Sequence, residues 1–159
     1  MKEIESSKGI PGLLRSFKKY IIEEDLPSDS QIVFYGCPGT CLPFAELITY
    51  AIRDLPVRTA FVPYLEEENA VSLKMVDKLG AQADRPVEKI DPKITVIMGG
   101  IAMPKIPVTA EDANKAISKY NSKKVGICFM SILQTEGWTN KIDFDMVIDT
   151  TIDPVKVYR

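Results

Sequence analysis

Apolar positions along this chain keep switching between a strand period and a helix period. Residues 31–35 (QIVFY) form a short apolar run stopped by Gly36, the pattern of a buried strand. After a tight loop, apolar residues return at Phe44, Leu47, Ile48, Ala51, Ile52 and Leu55, which is one face of a helix. Thr40 is the expected N-cap of that helix, Pro43 fits its first turn and Pro56 stops it. Upstream, Leu13, Leu14, Phe17, Tyr20 and Ile21 recur opposite Arg15, Lys18, Lys19 and Glu23. This predicts an amphipathic N-terminal helix over residues 10–25, preceded by a flexible polar arm at 1–9 and followed by a turn at 27–30.

The rest of the chain continues the alternation. Residues 57–64 (VRTAFVPY) read as a second strand. Glu66, Glu67 and Glu68 then suit the start of a helix with a stripe at Ala70, Leu73, Val76 and Leu79 and a stop at Gly80. Residues 81–93 read as a polar connector, with 87–90 as a short edge strand. Residues 94–98 (ITVIM) are apolar throughout, as a parallel strand covered on both faces would be. Thr109 and Asp112 form a capping-box pattern before a helix that turns Ala110, Ala113, Ile117 and Tyr120 inward. Residues 125–130 and 145–150 complete five strands, and 151–159 could add an edge segment. The expectation is a single α/β domain over residues 1–159, three-layer and Rossmann-like or flavodoxin-like, with a mostly parallel five-stranded sheet. The order 2-1-3-4-5 would set the loop after Met98 beside the loop after Tyr35. The order 3-2-1-4-5 would instead bring Cys128 next to Cys37.

Composition narrows the partners. With 20 basic and 22 acidic residues the net charge is −2, so no basic excess drives binding to nucleic acid. No apolar run is long enough for a membrane span, and the start of the chain lacks an apolar signal core. Three cysteines do not suggest a secreted disulfide framework, and the expected location is cytoplasmic. Histidine is absent, which removes His-based triads, bases and metal sites.

Chemistry concentrates in Gly36-Cys37-Pro38-Gly39-Thr40-Cys41, at the carboxyl end of a strand, where open α/β sheets place ligands. One reading is a cradle for a small anionic or nucleotide-like ligand, using helix N-terminal amides and Thr40. The loop is neither GxGxxG nor a P-loop, since it lacks the lysine. A second reading makes Cys37 and Cys41 catalytic or redox thiols, with Cys41 activated by the helix dipole. A third has Cys37, Cys41 and Cys128 holding a metal or iron–sulfur cluster. Against all three stands burial as ordinary core, which fits Cys128 best. Gly99 and Gly100 allow either close approach to a ligand or a turn with positive φ. Met103 and the apolar loop at 101–108 point to a pocket or a homodimer contact. Trp138 could stack on a planar ligand or pack over the core. Asp143, Asp145, Asp149, Asp153 and Glu66–Glu68 could bind Mg²⁺, but turns and helix caps explain them as well. No cofactor is specified.

The combination FYGCPGTCLPFAELI, VIMGGIAMP and VGICFM…GW…FDMVIDT resembles a small family of uncharacterised proteins from methanogenic archaea. The resemblance covers roughly residues 10–155. It implies an archaeal cytoplasmic origin and carries no activity, substrate or catalytic residue. The leading functional expectation is therefore a small-molecule-binding α/β protein. The alternatives are a thiol-dependent redox or metal-binding protein and a dimeric interaction protein.

Overall fold

The computed structural model describes residues 2–159; Met1, part of the expected arm, lies outside the described residues. The described residues build one seven-stranded sheet in the order β4-β3-β2-β1-β5-β6-β7. Its strands are β1 (Ser30–Gly36), β2 (Val57–Pro63), β3 (Val71–Val76), β4 (Gly80–Pro86), β5 (Pro92–Met98), β6 (Lys123–Phe129) and β7 (Met146–Thr150). β2, β1, β5, β6 and β7 pair in parallel, and these five are the expected strands in the flavodoxin-like order. That order settles the alternative left open by the sequence, and it places the loops after β1 and β5 side by side.

The helices are α1 (Gly9–Glu23), α2 (Leu42–Ala51), α3 (Ala110–Ser118) and the single turn α4 (Ile132–Thr135). Consecutive strand residues face opposite sides, so two neighbours on β1 show how both faces are covered. Phe34 meets Phe17 of α1, ring centroids 6.0 Å apart. Tyr35 points the other way, towards Glu67 and Tyr120, just beyond α3. All seven β1 residues are buried, as a central strand with two covered faces requires. The capping box at the start of α3 forms, with the Asp112 amide donating to Thr109 Oγ1 at 3.1 Å.

Three local expectations are corrected. The helix at 66–79 is a β-hairpin: β3 pairs antiparallel with β2, and β4 with β3. Only Ala70 and Leu73 of the expected stripe are buried, and Lys78 and Gly80 turn the chain at φ 63° and 95°. The edge strand is β4 itself, within the stretch expected as a connector, and 87–90 forms none. α2 begins after Cys41, which takes the N-cap position expected of Thr40, and it ends at Ala51. The sheet therefore has seven strands, not five. Residues 151–159 join no strand.

Candidate functional site

The loops after β1 and β5 meet at the topological switch point, but they pack on each other. The Thr40 amide donates to the Pro38 carbonyl at 2.9 Å, and the Cys41 amide to the Cys37 carbonyl at 3.0 Å. Both amides that an anion cradle would use are thus engaged inside the loop. Gly39 supplies the left-handed residue of this turn, at φ 78°. The Cys37 thiol donates to the Gly100 carbonyl at 3.1 Å, tying the two loops together.

The glycines explain the fit. A β-carbon on Gly36 would overlap the Cys41 β-carbon, and one on Gly100 would overlap Cys41 Sγ. A β-carbon on Gly99 would overlap Cys128 and Ile132. None of these three glycines has a positive φ. They lack side chains because the chain's own cysteines press against them. Cys37 and Cys41 are each 5% exposed, and all three cysteines are free thiols. Burial pushes the Cys37 thiol up to about 11 and moves Cys41 upward too. For Cys41 desolvation outweighs the hydrogen bonds that favour the thiolate, reversing the expected activation at the helix N-terminus.

Cys128 lies on β6, two strands from β1, and packs against Gly99 rather than beside Cys37. Burial raises its thiol to about 12. Its Sγ donates to Asp149 at 3.4 Å, and the Asp149 carboxylate also accepts the Ser131 amide at 2.9 Å and hydroxyl at 2.6 Å. Met130 and Ser131 both have positive φ, so Asp149 holds a strained turn between β6 and α4. Asp145 accepts the Lys124 amide at 2.8 Å. Among the described residues no three Cys, Asp or Glu side chains converge as metal ligands, so the three-cysteine arrangement does not form. Trp138 is buried in the core cluster and offers no stacking face. Of the apolar loop at 101–108, Ile101 and Ala102 are buried in the chain's own core, while Met103 remains exposed.

Two features escaped sequence reasoning. The first is a polar knot around Glu67. Its carboxylate accepts the Tyr35 hydroxyl at 2.8 Å, the Tyr120 hydroxyl at 2.8 Å and Lys119 Nζ at 2.7 Å. Burial alone would raise its pKa, but the Lys119, Tyr120 and Tyr35 donors together hold it below the usual value. Burial, with Glu67 alongside, pushes the Tyr35 hydroxyl upward. No spacing rule links residues 35, 67 and 120.

The second is a groove of about 690 Å³ between α2 and the β3–β4 hairpin. Leu47 and Tyr50 line it from the helix, and Met75, Val76 and Leu79 from the hairpin. All five remain exposed, Leu79 at 71%. Glu46 lies on the same wall and accepts the Ala83 amide at 2.9 Å, which occupies a backbone donor of edge strand β4. Asp77 and Lys78 sit at the hairpin tip.

Comparison with known proteins agrees with this fold. An uncharacterized protein of Methanocaldococcus jannaschii is 35% identical over 99% of this chain and 94% of its own length. One from Methanothermobacter thermautotrophicus is 30% identical over 96% of each. A crystal structure of a protein of unknown function from Methanothermobacter thermautotrophicus superimposes with a TM-score of 0.87 at 28% identity, covering 100% of this chain and 99% of that one. A family profile matches residues 8–153, and the chain belongs to that family, described as an uncharacterized protein conserved in archaea (DUF2124).

Proposed function

We propose that this protein works as an interaction protein that self-associates through the groove between α2 and the β3–β4 hairpin. The observation that carries the reading is a set of five exposed apolar side chains, Leu47, Tyr50, Met75, Val76 and Leu79, drawn from two elements around one concavity that Glu46, Asp77, Lys78 and Gln82 also line. Single exposed apolar residues are common, but contiguous ones rimmed by charge mark contact surfaces. The carboxyl edge supports a small anionic ligand less well, because the Thr40 and Cys41 amides are spent within the loop. A second reading keeps Cys37 and Cys41 as a dithiol, since both flank Gly100; their buried, protonated state makes it a slow one.

The test is sedimentation equilibrium on wild type, Leu47→Glu and Leu79→Glu. Both side chains are exposed, so the variants should keep the wild-type circular dichroism, with an unfolding midpoint that, unlike a dimer's, does not vary with protein concentration. A wild-type dimer that each variant converts to monomer supports the reading. A wild type monomeric at hundreds of micromolar, or a dimer indifferent to both variants, overturns it.

A further inference from the structure

The chain carries a second orphaned apolar surface. In residues 151–159 (TIDPVKVYR) every residue is exposed, and the segment joins no strand. Ile152, Val155, Val157 and Tyr158 stand 51–90% exposed. Water is a poor partner for four such side chains within seven residues.

We propose that this segment fills the groove of a second copy of the chain, in reciprocal exchange. The inference rests on the self-association reading above and names the element that occupies the groove.

Geometry rules out the segment's own groove. The segment leaves from β7, at one edge of the sheet, and the hairpin forms the other edge. Between β7 and β3 or β4 lie five or six strand spacings. At about 4.8 Å each this is roughly 24–29 Å measured straight through the sheet. The offset along the strands adds more. β7 ends at the carboxyl edge, whereas β3 runs antiparallel to β2 and delivers the hairpin tip towards the amino edge. Val155 is five residues beyond Thr150, a reach of at most about 18 Å, and even Tyr158 reaches only about 29 Å when fully extended. No slack is left to go round the body of the protein and then lie in a groove. In a second copy the distance is set by how the two molecules approach, and the constraint disappears.

The chemistry matches. The segment carries Lys156 and Arg159 against Asp153, while the groove carries Glu46 and Asp77 against Lys78. With the Ala83 amide held by Glu46, the contact should be side chains into the concavity rather than an added strand along β4. Two segments in two grooves make a closed two-fold pair, in which each contact appears twice.

The experiment compares four proteins by sedimentation equilibrium: wild type, a chain ending at Thr150, Val155→Glu/Val157→Glu, and Leu79→Glu. The segment makes no strand, so its removal should leave the circular dichroism unchanged, while the unfolding midpoint loses its dependence on protein concentration as the dimer is lost. A labelled peptide of residues 151–159 is also titrated into the shortened chain and read by fluorescence anisotropy. The expected result is a wild-type dimer, a monomer for the other three, and saturable peptide binding that Leu79→Glu in the shortened chain weakens at least tenfold. If the shortened chain stays dimeric while Leu79→Glu is monomeric, the groove is the interface and the segment is not its occupant. If wild type is monomeric and the peptide does not bind, both statements fall.

Discussion

The packing of Gly100 against Cys41 makes a prediction that separates this structure from a merely crowded loop. In Gly100→Ala the new methyl overlaps Cys41 Sγ, while its next neighbours, Thr40 Oγ1 at 3.4 Å and Cys37 Cβ at 3.7 Å, are ordinary contacts. Forcing a methyl into a packed site costs about 1–3 kcal/mol. At about 2–4 °C per kcal/mol for a domain this size, the melting temperature should fall by roughly 2–12 °C. Cys41→Ala alone removes one buried sulfur and should cost about 1–2 kcal/mol. In the double variant the methyl occupies the space the sulfur vacated, so the two losses should overlap by about 1 kcal/mol or more. Gly36 is the internal control, because its added β-carbon meets the Cys41 β-carbon first, and Cys41→Ala keeps that atom. Gly36→Ala should therefore be rescued far less. Urea unfolding followed by circular dichroism gives all five values under one set of conditions. Additivity within about 0.5 kcal/mol for Gly100→Ala with Cys41→Ala, or equal rescue of Gly36→Ala, would refute the packing argument.

Three further outcomes follow from the same contacts. Glu67 is held below its ordinary value of about 4.5 in the folded chain, so its contribution is complete above that pH and disappears as pH falls through the lower folded value. The stability gap between wild type and Glu67→Gln should be constant near neutrality and shrink below about pH 4.5; a gap that widens in acid would contradict the assignment. Iodoacetamide should modify native Cys37 slowly at pH 7, with a rate that keeps climbing towards about 11; a plateau near pH 7 would instead make the dithiol chemical. Asp149→Ala removes the acceptor for the Ser131 amide and hydroxyl and should lower stability by about 1 kcal/mol, as these bonds are solvent-accessible. An unchanged urea midpoint would count against a role for Asp149 in the turn.

The central parallel strands were legible because their burial is written directly in the sequence. Residues 32–35 and 96–98 are apolar at consecutive positions that face opposite sides, and a strand must be central to need that. Residues 70–80 satisfied two templates at once. Ala70, Leu73, Val76 and Leu79 have helical spacing, whereas Val71, Leu73 and Met75 alternate as a strand does. What decides between them is the edge of β2, a long-range partner that no local window contains. Gly80, read as a helix stop, is instead the first residue of β4, with a positive φ just after the hairpin turn.

That single misreading also conceals the groove. On a helix, Val76 and Leu79 would belong to a buried stripe and raise no question. On a hairpin they stand beside Leu47 and Tyr50 of α2 and remain uncovered. The cysteine loop shows the complementary limit. Its position at the switch point could be read from the order of elements, but its chemistry depends on which amides are free and how deeply the thiols are buried. Those are properties of the packing of β1 on β5, and the packing turned a loop that looks reactive into a joint between two strands. A site in this protein is therefore better sought where apolar side chains lack cover than where reactive residue types gather, and the groove between α2 and the hairpin lies away from the switch point at which an open sheet places its ligands.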